Sequence, residues 1–115
     1  MEITTREEGL FTIATVAGDI DGKSAAQAQA ALLSLLDNQP VLVLDVTNVG
    51  FMSSAGLRVM LLLYRQASAR KGRVVLVGLS DEIKDTMAMT GFLSFFTVAS
   101  NLDDARTVIG EGSAP

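Results

Sequence analysis

The spacing of hydrophobic residues along the chain switches between two periods, one typical of strands and one typical of helices. In the strand-like stretches, successive residues either alternate between two faces or form a short, continuous aliphatic run. The two continuous runs are rich in valine and leucine, as parallel strands buried on both faces are. Five strands are predicted: residues 3–6, 10–16, 41–46, 73–79 and 95–98.

Helical spacing fills the segments between and after these strands. The first helix would begin at Asp21, or at Ser24 with Gln27 forming a capping box. Gly72 follows the second helix, where a helix terminator belongs. The last two helices would be capped by Ser80 and Asn101. Four helices are predicted: residues 24–36, 54–70, 81–89 and 102–109.

The predicted elements follow one another in the order β-β-α-β-α-β-α-β-α. Strands that alternate with helices favour an α/β fold with a mostly parallel sheet and helices packed on it. The length of 115 residues suits a single domain. We therefore expect one domain over residues 1–115, with residues 110–115 forming a frayed tail.

The composition excludes several classes of function. The formal net charge of −4 argues against binding to nucleic acid or to an anionic membrane surface. The chain has no cysteine and no histidine, which removes thiolate chemistry, nearly all zinc sites and the usual Ser-His nucleophile pairs. We therefore expect no catalytic residue, no metal and no cofactor.

The chain begins with a polar, acidic segment, which is unlike a secretory signal. Its apolar runs also fall short of the roughly 18–20 residues that cross a bilayer. Both observations predict a cytoplasmic protein.

Two adjacent serines, Ser53 and Ser54, stand where the second helix begins, just before Gly56. Either hydroxyl could simply cap the free backbone N–H groups of the first turn. Either could instead accept a phosphate, because those N–H groups and the helix dipole accommodate negative charge. The residues alone leave both readings open.

Several segments together resemble the STAS domains of the anti-anti-sigma type. The main signature is "VLVLDVTNVGFMSSAGLRVML", residues 41–61, in which an apolar strand leads through a short loop into a Ser-x-Gly-Leu helix start. "GDID" at 18–21 resembles the Gly-Glu-Leu-Asp turn of the family. "MAMTGFLSFFTV" at 87–98 and "NLDDA" at 101–105 resemble the segments around its last strand. The resemblance covers nearly the whole chain and implies a STAS-like fold.

The resemblance also implies a switch between partners. Members of this family bind an anti-sigma factor that is also a serine kinase, and this binding frees the sigma factor. The kinase phosphorylates the serine two positions before the motif glycine, which is Ser54 here, and a PPM-type phosphatase reverses the reaction. Asp21 matches an aspartate that lies beside the acceptor and contacts the kinase. The family usually has Asp directly before the acceptor, whereas this chain has Ser53, a second hydroxyl.

The resemblance therefore implies a non-enzymatic binding protein. Its alternatives are a STAS scaffold or transporter-accessory subunit without a phosphoswitch, and a small hydrolase or phosphotransfer enzyme that uses Ser54 or Asp45. The expected partner-binding residues are Asp21, Ser53, Ser54, Ala55, Gly56, Leu57 and Arg58.

Overall fold

One five-stranded sheet, with strands ordered as in the sequence, organises the fold. The computed structural model describes residues 1–112, and the side chains of residues 1–110. The strands are β1 (Glu2–Glu8), β2 (Phe11–Ala17), β3 (Val41–Asn48), β4 (Arg73–Val77) and β5 (Thr97–Ala99). The helices are α1 (Ala25–Leu35), α2 (Ser54–Ala69), α3 (Asp81–Met89) and α4 (Leu102–Gly112), with a 3₁₀ turn at Leu93–Phe95.

The sheet is mixed, as the sequence pattern predicts. β1 runs antiparallel to β2, and all later neighbours are parallel. Since the carboxyl ends of parallel strands meet at one edge, the loops that follow β2, β3 and β4 lie together there. This edge carries the two serines.

The helices cover the two faces of the sheet unequally. Helices α1, α2 and α3 bury Leu32, Met60 and Met87 in one core with the inward residues of the strands. Helix α4 lies on the opposite face, where Ala105 and Ile109 belong to a second core. Among residues 1–112, no helix combines the length and apolar composition that a membrane crossing requires.

Several predicted element boundaries and one predicted cap differ from the structure. The last strand was expected at residues 95–98, but Phe95 ends the 3₁₀ turn and β5 begins at Thr97. The capping box at Ser24 and Gln27 does not form, because the Ser24 hydroxyl donates to the Asp19 carbonyl instead, at 2.8 Å. Caps at Ser80 and Asn101 are confirmed, with Oγ and Oδ1 accepting from the N–H groups of Ile83 and Asp104.

Gly72 follows α2 for a different reason from the one expected. The left-handed residue at this helix end is Lys71, with φ 59°, and the Gly72 N–H bonds back to the Ala67 carbonyl at 2.7 Å, as in a Schellman motif. A Cβ at Gly72 would lie 1.9 Å from the Pro40 carbonyl oxygen. The glycine therefore permits close passage between two chain segments.

The final helix runs three residues beyond its predicted end at Ile109, to Gly112. Residues 113–115 of the expected tail lie outside the described residues.

An ion pair joins the end of β1 to α4. The Arg106 guanidinium donates to both carboxylate oxygens of Glu8, one of them at 3.0 Å, and also to Asp103 at 2.9 Å. These bonds to Arg106 lower the pKa of Glu8 and raise the pKa of Arg106. The pair fastens α4 to the first strand, beside the smaller core.

We predict that Glu8→Gln destabilises the protein at neutral pH and that the difference from wild type shrinks in acid. Because the folded-state pKa of Glu8 is lowered from its ordinary value of 4.5, its contribution is complete above that value and disappears as the pH falls through the folded-state pKa. Urea unfolding of both proteins between about pH 7 and pH 3 measures this. Glu7→Gln is the control, because Glu7 is exposed and makes no ion pair in the described part of the chain. A gap between Glu8→Gln and wild type that does not change with pH contradicts the prediction.

Candidate functional site

Two loops at the carboxyl edge of the sheet are joined by their backbones. The Ile20 N–H, in the loop after β2, donates to the Phe51 carbonyl at 3.0 Å, and the Ser53 N–H donates to the Ile20 carbonyl at 3.0 Å. Ile20 and Met52 form an isolated parallel bridge, and both side chains are buried. The residues leading into α2 are therefore held by an extension of the sheet.

Gly56 lets the first turn of α2 lie directly against this bridge. The residue is buried, and a Cβ built on it would lie 2.4 Å from the Ile20 carbonyl oxygen and 2.6 Å from Met52 Cγ. The first of these contacts is with backbone, which cannot move aside without breaking the bridge. The motif glycine thus fixes how closely the helix start approaches the loop.

The two serines have different roles at the helix entrance. Ser53 is the N-cap: its backbone is extended, and its half-buried Oγ accepts from the Gly56 N–H at 3.4 Å. Ser54 is the first residue of α2 and is exposed. Its hydroxyl makes no hydrogen bond with any side chain or backbone group in residues 1–110. Ser53 is therefore engaged in capping, whereas the Ser54 oxygen is free to react.

Ser54 lies at the rim of a cavity of about 320 Å³, which we call the serine groove. Its walls come from the exposed side of the first two turns of α2 and from the segment after α3. The lining residues are Ser54, Leu57, Arg58, Leu61, Thr90 and Phe92. The groove is largely apolar, and Arg58 is the one charged residue among the described residues that line it.

Exposed apolar side chains extend this surface on both sides. Phe51 is 53% exposed, and with Leu57 it lines a smaller cavity of about 120 Å³ against α3. On the other side Phe95, 42% exposed, stacks on Tyr64 with ring centroids 4.7 Å apart, and Phe92 continues the stack at 6.3 Å. An exposed apolar surface of this kind is typical of protein contacts.

Asp21 lies on the same edge, next to the bridging residue Ile20. Its Oδ1 accepts from the backbone N–H groups of Lys23 at 2.9 Å and Ser24 at 3.2 Å. These bonds lower the pKa of the Asp21 carboxyl, and the bond from the Lys23 N–H contributes most. Asp21 therefore presents a fixed negative charge on the loop that is bonded to Ser53.

The structure brings most of the predicted site residues to one edge of the sheet, with unequal exposure. Ser54 and Arg58 are exposed, while Ser53, Ala55 and Asp21 are half-buried. Gly56 and Leu57 are buried, although Leu57 reaches the walls of two cavities. Phe51, Leu61, Thr90 and Phe92 join this surface although they are not among the expected site residues. Thr90 and Phe92 reach Ser54 only through packing of the segment after α3, whereas Phe51 and Leu61 lie close to it in the sequence.

The chemistry available at this site is that of a nucleophilic hydroxyl without its own activating group. Within the described residues, no three acidic side chains converge to hold a metal ion. The sequence has no histidine to act as a base. Among the described residues, no basic side chain is hydrogen-bonded to the Ser54 hydroxyl.

A family model and a relative of similar sequence agree on one family. A family model described as the STAS domain matches residues 2–105. The BtrV protein of Bordetella bronchiseptica, named as an anti-sigma factor antagonist, is 33% identical over 106 residues, which cover 91% of each chain.

Solved structures agree on the fold. An anti-sigma factor antagonist from Mycobacterium paratuberculosis has a TM-score of 0.83 at 25% identity, covering 93% of this chain and 92% of that one. The Bacillus cell fate determinant SpoIIAA in its phosphorylated form has a TM-score of 0.73 at 16% identity, covering 93% and 99%.

We predict that Gly56→Ala destabilises the protein by about 1–3 kcal/mol, the usual cost of overpacking, since its Cβ would meet the Ile20 carbonyl. Gly22→Ala, in the loop that contains Ile20, is the matched control, because nothing lies within 4 Å of the added Cβ. The control should change stability by less than about 1 kcal/mol, in either direction. Urea unfolding measures both variants, and equal stability would show that the close approach at Gly56 is unimportant.

Proposed function

Since the chain belongs to the STAS domain family of anti-sigma factor antagonists, we propose that it is a phosphorylation-controlled partner switch. In the unmodified state it binds an anti-sigma factor that is also a serine kinase, so that the sigma factor or another output is released. Phosphorylation of Ser54 ends this binding, and a PPM-type phosphatase restores it. A partner that controls transcription would place the protein in the cytoplasm.

The observation that carries this proposal is the free, exposed hydroxyl of Ser54 at the rim of the apolar serine groove. The hydroxyl is accessible to a kinase, and the groove beside it offers a surface for the same protein to bind. The neighbouring Ser53 oxygen is half-buried and already caps the helix. Phosphorylating Ser53 would cost this cap, which favours Ser54 as the acceptor.

The proposed reaction is a phosphoryl transfer from ATP bound to the kinase. The Ser54 Oγ forms a bond to the γ-phosphorus, the bond between that phosphorus and the β,γ-bridging oxygen breaks, and ADP leaves. The hydroxyl proton passes to a base on the kinase. In the reverse process, water attacks the phosphorus on the phosphatase and inorganic phosphate leaves, which regenerates the hydroxyl. This chain supplies the acceptor and the binding surface, and its role is that of a substrate and ligand rather than an enzyme.

The position of Ser54 explains why the phosphate would change binding rather than folding. At the first position of a helix, a charge of about −1.5 to −2 faces free backbone N–H groups and the positive end of the helix dipole. The folded state therefore tolerates it. In a complex, however, the same charge would be desolvated against the apolar walls of the groove, which is costly. The penalty falls on the complex alone.

Incubation with a candidate anti-sigma factor kinase and ATP should place one phosphate on this protein, at Ser54. Mass spectrometry of the digested product locates it. Ser53→Ala should still accept phosphate, whereas Ser54→Ala should not. Phosphate on Ser54→Ala, at Ser53 or elsewhere, would overturn the assignment.

Ser54→Asp should weaken binding of the same kinase by roughly a hundredfold, which corresponds to about 3 kcal/mol. Titration calorimetry measures the affinity. Ser68→Asp is the matched control, because Ser68 is an exposed serine at the other end of α2, and it should bind like wild type. If Ser54→Asp binds as tightly as Ser68→Asp, a STAS scaffold or transporter-accessory subunit without a phosphoswitch is the better description.

A further inference from the structure

Arg58 is an exposed cation without a partner beside Ser54. Its side chain makes no hydrogen bond or ion pair within the described part of the protein. Arg70 and Arg73 are occupied, Arg70 with Asp37 at 2.7 Å and Arg73 with the Val108 carbonyl at 3.1 Å. Arg65 is unpaired in the described structure, as Arg58 is, but it does not line the serine groove. Arg58 and Ser54 line the same groove. An exposed guanidinium without a partner among the described residues is available to bind an anion at this rim.

We propose that Arg58 is a positioning residue that captures the phosphate of phospho-Ser54, an inference that rests on the proposed function. In the unmodified protein its guanidinium is free at the rim of the serine groove. After phosphorylation it pairs with the phosphate on its own chain and is drawn toward the helix entrance. Phosphorylation would then alter the groove in two ways, by adding a charge and by withdrawing a cation.

The helical spacing supports this pairing. Residues four apart on a helix have Cβ atoms about 5–6 Å from each other, and they lie on the same face. A phosphoryl group extends the serine side chain, and arginine can donate two parallel N–H bonds to phosphate oxygens. No other charged side chain competes with this pairing inside the groove, because the other described residues that line it are uncharged.

Two acidic residues lie near this groove without lining it. Asp21 is on the loop bonded to Ser53, where backbone N–H groups occupy its carboxylate. Glu82, on α3, lines the smaller cavity on the far side of Leu57. Both would oppose the phosphate rather than hold it. Among the described residues that line the serine groove, Arg58 is therefore the one favourable charge for phospho-Ser54.

The pairing also indicates which chemistry a partner would offer to the unmodified protein. A free guanidinium beside an apolar groove is suited to a carboxylate on the bound protein. Once the phosphate has engaged Arg58, that carboxylate would face a phosphate instead of a cation. Arg58 would thus contribute to the complex and to its release.

The test uses phosphoserine inserted genetically at position 54, so that no kinase is required. ³¹P NMR titration measures the second pKa of the phosphate, which a paired guanidinium lowers. Arg58→Gln should raise this pKa by about half a unit, the scale of an exposed ion pair, and Arg58→Lys should raise it less. Arg65→Gln, also exposed and unpaired on α2 in the described structure, should leave it unchanged. Equal values in Arg58→Gln and Arg65→Gln overturn the proposal.

The outcome is separable from that of the proposed function. A pKa shift specific to Arg58 supports the pairing even if no kinase labels Ser54, and in that case only the switch with a kinase fails. Labelling of Ser54 without the pKa shift sinks the pairing and leaves the switch intact. Because Arg58 is exposed and unbonded in the unmodified protein, its substitution should not change the thermal midpoint of the unphosphorylated form, and circular dichroism confirms that each variant is folded.

Discussion

The backbone of Ile20 is the feature on which the candidate site depends. Its N–H and its carbonyl bond to the two sides of the loop before α2, both at 3.0 Å, and Gly56 brings the helix against that bridge. The position of Ser54 is thus set by backbone bonds and sterics at a sheet edge. Since the serine hydroxyl takes no part in holding this arrangement, it can be modified while the support remains.

The sequence predicted the order and type of the elements well, because the side chains that a strand or helix buries recur along the chain with the period of that element. Two of the failures lie where a contact between distant segments overrides a local signal. Phe95 reads as strand, but its ring stacks on Tyr64 of α2 and the chain turns there. Gly72 was expected to terminate α2, but Lys71 is the residue with positive φ, and a glycine is required at position 72 because Pro40 passes close to it.

The candidate site stays a prediction, and the sequence could select only those of its residues that share one motif. Its serines, glycine and arginine all lie between Ser53 and Arg58, so a local pattern was enough to select them as candidates. Phe92 and Thr90 come from the segment after α3, and only packing brings them to Ser54. The difference between the serines was also hidden, since which hydroxyl caps the helix depends on where the helix begins. The structure assigns the cap to Ser53.

The charges around Ser54 determine how strong such a switch can be. A ligand or a modification shifts a binding equilibrium only by its differential interaction with the free and bound states. The N-cap Ser53 is neutral, so a phosphate on Ser54, as proposed, would meet no negative charge from this neighbour. The helix entrance and Arg58 would stabilise it further in the free protein. If the phosphate loses part of this stabilisation when the partner binds, the lost part weakens the complex by the same free energy.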